Sequence, residues 1–206
     1  MNGEKSKHRP YASPLRRQQQ EHTRKQIMEA VTAIIAEGRI LSFSVQDVAD
    51  RAGVSYASVY RHFPTREALL DALYEAGAKI VGTSLALTSL APEEIPAAVG
   101  RMRIAFEQDP ASLQASTMAL AISSIHPPSR RQRDQRYQRV IAESAPHLAP
   151  SATNQAAAVI CHLHSSLTWV TLRQRFGLSA EETADALTWA LQTLIRDLIR
   201  ANEGNS

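Results

Sequence analysis

FSVQDVADRAGVSYASVYRHFPTREALLDAL, residues 43–73, packs three helix starts and two helix stops into a single short stretch. Ser44 followed by Asp47 is an N-terminal capping signature, and Phe43 and Val48 stand at the positions of a hydrophobic staple. The helix they start runs over about residues 45–52 and closes on Gly53, which supplies a positive φ at no steric cost. Ser55 caps a second helix, stapled by Val54 and Val59, and Pro64 ends it near His62 by disfavouring helix at Phe63. Thr65 caps a third, whose apolar face holds Ala68, Leu69, Ala72 and Leu73 and which extends to about residue 76. The alternation of Leu41, Phe43 and Val45 with Ser42 and Ser44 also fits a short strand. The capping signature makes it a loop entering a helix.

Two short helices cross closely only where the contact residue is small and the turn between them takes a left-handed conformation. Ala49 and Gly53 stand at those two places, and Val48, Val54 and Val59 fill the shared core. The outward positions of the second helix then read Ser55, Tyr56, Ala57, Ser58, Tyr60, Arg61 and His62, side chains suited to phosphates and base edges. The stretch resembles the DNA-binding domain of the tetracycline-repressor (TetR) family of bacterial transcriptional regulators. The resemblance is detailed over residues 23 to about 75. It is most specific at Val54-Ser55, at Tyr60, His62 and Phe63, and at Glu67, Ala68 and Leu69. Arg66 stands where the family more often has lysine. The resemblance implies that Ser55, Tyr56, Ala57 and Ser58 approach base edges, that Tyr60, His62 and Arg66 hold phosphates, and that Ser44 places helix N–H groups toward another phosphate. Packing of Tyr60 and His62 onto the third helix is the structural alternative, and Phe63 is core.

N-terminal to this motif, Ile27, Ala30, Val31, Ile34 and Ile35 recur at helical spacing up to Gly38. Residues 1–20, with Pro10, Pro14 and the run Gln18 to Gln20, read as a flexible basic arm lacking fixed structure until about residue 17. The chain carries 23 Lys+Arg against 20 Asp+Glu. The whole excess lies before residue 75, and Lys5, Lys7, Arg9, Arg16, Arg17, Arg24 and Lys25 face only Glu4 and Glu21 in the first 25 residues. A basic end on a balanced chain points to a polyanionic partner, with a spectator tail as the alternative. The helix-turn-helix domain is placed at residues 21–76.

Residues 77–206 are rich in alanine and leucine, broken by prolines into segments of helical length, with no sustained strand alternation. An all-α fold follows, with a C-terminal helical regulatory and dimerisation domain. Its two longest segments are read as residues 152–175 and 180–201. One helix-turn-helix contacts too little DNA for strong specificity, so a homodimer on a double-stranded operator with two half-sites is expected. Ile160, Leu163, Leu167, Leu187, Leu191, Leu194 and Leu198 are the candidate dimer contacts, in competition with a role in the chain's own core. The resemblance also implies a pocket for a small-molecule inducer. Met102, Phe106, Met118, Ile122 and Trp169 are candidates to line it and His126, Tyr137 and His164 to supply polar contacts, although such residues at helical spacing also make ordinary core. A C-terminal domain that binds a protein partner and no small ligand is the alternative. Arg130, Arg131, Arg133, Arg136 and Arg139 read as a solvated face, or as attraction for an anion or nucleic acid.

Composition narrows the class further. With 44% apolar residues the chain can bury a core, and no apolar run approaches the ~18–20 residues of a membrane span. The single cysteine, Cys161, cannot form an internal disulfide, which fits a reducing, cytoplasmic setting. Cys161, His162 and His164 lack the base, orienting acid or convergent ligands that nucleophilic or zinc chemistry needs, and there is no glycine-rich phosphate loop. No enzyme activity, metal or cofactor is expected.

Overall fold

The computed structural model describes residues 14–85, 91–122 and 128–204, which form ten α-helices, one 3₁₀ turn at Pro92–Glu94 and no strand. The first four helices are α1 (Pro14–Ala36), α2 (Val45–Ala52), α3 (Tyr56–His62) and α4 (Arg66–Leu85). The body comprises α5 (Ile95–Gln108), α6 (Pro110–Ile122), α7 (Pro128–Ser144), α8 (Pro150–Leu163), α9 (Ser166–Phe176) and α10 (Ala180–Glu203). Local chemistry sets the boundaries of α2 as expected. The Ser44 hydroxyl accepts from the Asp47 N–H at 3.1 Å, and the Asp47 carboxylate accepts from the Ser44 N–H at 2.7 Å. Gly53, at φ 65°, closes the helix, and Val54 N–H returns to the Ala49 carbonyl at 3.1 Å.

Three boundaries differ from the sequence expectation. Helix α1 begins at Pro14, inside the segment expected to lack fixed structure. Proline is tolerated in a first helical turn, and Leu15 to Lys25 consists largely of good helix formers continuous with the packed part of the helix. The long segment at residues 152–175 is broken, because Ser165 caps a new helix by accepting from Thr168 N–H at 3.2 Å. The Thr168 hydroxyl also donates to the His162 carbonyl at 2.6 Å, which partners an acceptor freed by the break.

The third difference concerns the boundary expected at residues 76/77, which α4 crosses without interruption. Two apolar cores lie on either side of it. The first joins Ile27, Val31, Ile34, Val48, Val59, Phe63 and Leu69 to Ala115 and Ala119 of α6. The second joins α5, α7, α8, α9 and α10, with Leu113 of α6, around Met102, Ile141, Ile160, Trp169 and Leu191. Helix α6 thus contributes to both cores, Leu113 to the body and Ala115 and Ala119 to the N-terminal one. Its approach to α4 is closest at Gly77, where an added Cβ would stand 2.0 Å from Ser116 Oγ and 2.4 Å from Ser116 Cβ.

That contact decides the sign of a substitution that helix propensity alone would favour. Gly77→Ala gains up to ~1 kcal/mol in propensity but incurs an overpacking cost of ~1–3 kcal/mol. Net destabilisation is expected in urea titration, with most of it recovered when Ser116→Gly is combined with it.

Candidate nucleic-acid interface

Helix α3 is held from three sides. Val59 and Phe63 are buried against α1 and α4, and Ser55 fixes the first turn by accepting from Ser58 N–H at 3.1 Å. What remains outward is a row of unlike side chains. Tyr56 is 48% and Tyr60 53% exposed, with their rings stacked at a centroid distance of 6.1 Å, and Ala57 and Arg61 are exposed beside them. Neither tyrosine packs onto the third helix of the motif as core, whereas Phe63 does.

The polar candidates divide by how much hydrogen-bonding capacity the fold leaves them. Ser55 and Ser58 hydroxyls lie 2.8 Å apart, so one proton is shared between them and one is left for an outside partner. Ser44 is consumed: its hydroxyl donates to Asp47 at 2.6 Å and its N–H donates to the same carboxylate oxygen. These bonds, with Arg39 at 2.9 Å from the other oxygen, hold the Asp47 carboxyl well below the usual range. The Ser44 hydroxyl is thereby committed to the cap, so any phosphate contact at the start of α2 falls to the helix N–H groups and not to that hydroxyl. His62 is half-buried, and burial with Arg24 and Arg61 nearby lowers its pKa, which favours the neutral ring.

Arg66 has a structural contact besides the phosphate role expected of it. Its guanidinium donates to the Ile40 carbonyl and lies 4.7 Å from the Phe43 ring centroid, clamping the loop before α2 onto the start of α4. The bond uses one of its five N–H donors, so the clamp holds the guanidinium in place and leaves donors for a phosphate. Arg24, which the sequence placed in the basic N-terminal run but outside the helix-turn-helix contacts, stands beside α3. Its guanidinium stands 4.5 Å from the Phe63 ring, at the C-terminal end of α3. The available signal was its place one turn before Ile27 on the same helix face.

The candidate ligand residues separate into two groups. Met102, Phe106, Tyr137, His164 and Trp169 share the body core, whereas Met118 and Ile122 pack against the N-terminal core. His126 lies outside the described residues. Only Phe106 and Trp169 of this set line a cavity of about 320 Å³, their rings stacked 5.6 Å apart, with Glu107, Gln114 and Arg173 among its polar lining. Tyr137 and His164 instead bond each other, Oη to Nδ1 at 2.5 Å. Burial lowers the His164 pKa to about 4 and raises that of Cys161 to about 11, and the thiol donates to Asp134 at 3.4 Å. An inert thiol and a neutral imidazole result. Within the arginine run, Arg133 turns inward toward Cys161 and Tyr137, while Arg131 and Arg139 remain exposed.

The candidate dimer residues are mostly spent within one chain. Ile160, Leu187, Leu191 and Leu198 are buried in its body core, because α10 lays that stripe on α5 and α8. Leu163 and Leu167 are half-buried, and Leu194 is exposed. The further exposed apolar residues of α8 and α10 are Val159 and Trp189.

A capped, glycine-turned helix pair that presents its second helix outward from an all-helical body defines a helix-turn-helix protein. Residues 27–73 match the family described as bacterial regulatory proteins, tetR family. The chain is 28% identical over 196 residues to the HTH-type transcriptional repressor KstR of Mycobacterium tuberculosis (strain ATCC 25618 / H37Rv), covering 90% of this chain and 86% of that one. A TetR variant from Acinetobacter baumannii AYE in complex with minocycline superposes with a TM-score of 0.57 at 17% identity, covering 86% of this chain and 97% of the other. A TetR family transcriptional regulator from Chloroflexus aurantiacus J-10-FL superposes with a TM-score of 0.58 at 17% identity, over 88% and 93%. Residues 27–73 thus match the N-terminal domain of the TetR family, and the whole chain is similar in sequence or fold to regulators of that family. Among the described residues no helix is long and apolar enough to cross a membrane, and no His, Cys, Asp and Glu side chains group as metal ligands.

Two outcomes follow from the site chemistry. Arg66→Met leaves the Ile40 carbonyl unpaired and is expected to lower stability in urea by about 1–3 kcal/mol, with Arg66→Lys recovering little of it. A purely phosphate-binding Arg66 would leave stability unchanged in both. His164 refuses a proton in the fold that the unfolded chain accepts. Its contribution is therefore complete above about pH 6.5 and lost as the pH falls toward 4. Thermal melts should decline across that window, and His164→Gln should flatten the decline.

Proposed function

We propose that this protein is a repressor that binds a palindromic operator as a dimer and is released by a small-molecule inducer. The observation that carries the DNA-binding part is the outward row of Tyr56, Ala57, Tyr60 and Arg61 on a helix whose opposite face is locked into the core. Tyr56, Ala57 and the unspent hydroxyl proton of the Ser55–Ser58 pair address base edges, while Tyr60, His62 and Arg66, joined by exposed Arg61, hold phosphates. The similarity to a protein described as a transcriptional repressor supports repression. Val159, Leu194 and Trp189, with half-buried Leu163 and Leu167, are assigned to the contact between protomers.

The minocycline-bound relative and the cavity at Phe106 and Trp169 support a small-molecule ligand. An inducer acts through its preference for the conformation that does not bind DNA. Helix α6 offers the route: Gln114 lines the cavity, and Ala115, Ser116 and Ala119 of the same helix meet α4 and the N-terminal core. A ligand that displaces α6 displaces the helix that starts next to α3.

Selection of bound duplexes from a random pool tests the proposal. Wild type is expected to enrich a palindrome; Tyr56→Ala is expected to change the preferred bases by about 1–3 kcal/mol per lost contact, and Tyr60→Ala to weaken all sequences alike. Absence of enrichment, or unchanged selectivity of Tyr56→Ala, overturns it. Sedimentation should give a dimer for wild type and a monomer for Val159→Glu combined with Leu194→Glu.

A further inference from the structure

Helix α1 overhangs the domain it belongs to. Every residue from Pro14 to His22 is exposed, and burial begins only at Ile27. A helical stretch without packing on any side is stabilised by its continuity with the packed turns that follow, not by a core. The composition of one face is specific. Positions 34, 31, 27, 24, 20 and 16 are separated by three or four residues and so share a side of the helix. Along the domain that side reads Ile34, Val31 and Ile27, all fully buried. Beyond it the same side reads Arg24, Gln20 and Arg16, with Arg17 adjoining. The turn from apolar to basic occurs at the C-terminal end of α3, where Arg24 covers Phe63 and lowers the pKa of His62.

We propose that this overhang is a second DNA contact, in which Arg16 and Arg17 bind phosphates of the duplex flanking the bases met by α3. The inference rests on the DNA-binding reading above. Charge complementarity selects the partner, since neither arginine has an acid partner among the described residues, whereas Lys25 is paired with Glu29 at 3.6 Å. Size selects the part of the partner. A helix is about 10–12 Å across and the minor groove about 6 Å wide, so this rod lies along the backbone and does not enter that groove. From Arg24 to Pro14 it reaches about 15 Å beyond the end of α3. The contact adds affinity and orientation with no base preference.

The test is the salt dependence of binding by the full chain to a random-sequence 30-base-pair duplex, followed by fluorescence anisotropy. Each phosphate contact contributes about 0.9 to the slope of log affinity against log salt. Arg16→Gln combined with Arg17→Gln, which removes four contacts from a dimer, is expected to flatten the slope by about 3.6, to weaken operator and random duplex by the same factor, and to leave the thermal melt unchanged. Arg136→Gln combined with Arg139→Gln, which removes the same charge from α7, is expected to leave the slope unaltered. A wild-type slope that persists in the Arg16/Arg17 variant overturns the second contact while sparing the assignment of α3. Equal flattening by both pairs overturns it as well, in favour of a general charge effect. A wild type with no salt-dependent binding overturns the DNA-binding reading itself.

Discussion

The left-handed turn at Gly53 is the constraint on which the helix-turn-helix end depends. With φ at 65° the chain reverses within two residues, so that Val54 N–H reaches the Ala49 carbonyl and Ser55 is already in place to cap α3. A residue with a Cβ at this position would meet no neighbouring atom within 4 Å, so the demand is on backbone conformation and not on space. Ala49 carries the complementary demand. It is buried at the crossing, where a longer side chain would force the two helices apart and lift Val59 out of the core. Rotation of α3 by even part of a turn would exchange Tyr56 and Tyr60 for Val59 at the surface.

Much of this end was legible in sequence because its signals are local. Ser44 with Asp47, Ser179 with Glu182, and the glycines at 53 and 177 are written in the residues that form the bonds, and the structure contains each cap where the pattern put it. The outward row of α3 follows from the same logic once Val59 is assigned to the core. Features that depend on which partner a stripe finds were not legible. The leucines of α10 form a broad apolar face in sequence, and periodicity cannot say whether α5 of the same chain or a second copy will cover it. Likewise Arg66 carries a charge that motif context directs to phosphate, whereas its engagement with Ile40 and Phe43 depends on a contact 26 residues away.

The break at His164 shows a different limit. Residues 152–175 carry an uninterrupted helical pattern, and no glycine or proline marks a stop. The interruption is made by polar groups: Ser165 takes over as a cap, Thr168 engages the His162 carbonyl, and His164 turns inward to Tyr137. Ser and Thr compete with the helical backbone for hydrogen bonds wherever they occur, and only the surrounding core decides where they prevail. Tertiary burial of a single imidazole thus divides what composition joined.

The zero clearance between Gly77 and Ser116 makes that point a fulcrum. Helix α4 extends about 16 Å from Gly77 toward Arg66 and about 12 Å from Gly77 toward Leu85. A rigid rod pinned there moves its two ends in opposite directions and in the ratio of those lengths, so a small sway at the far end arrives slightly magnified where α4 meets α2 and α3. The mechanical advantage of the protein is therefore set by where along the rod a hydrogen atom replaces a methyl group.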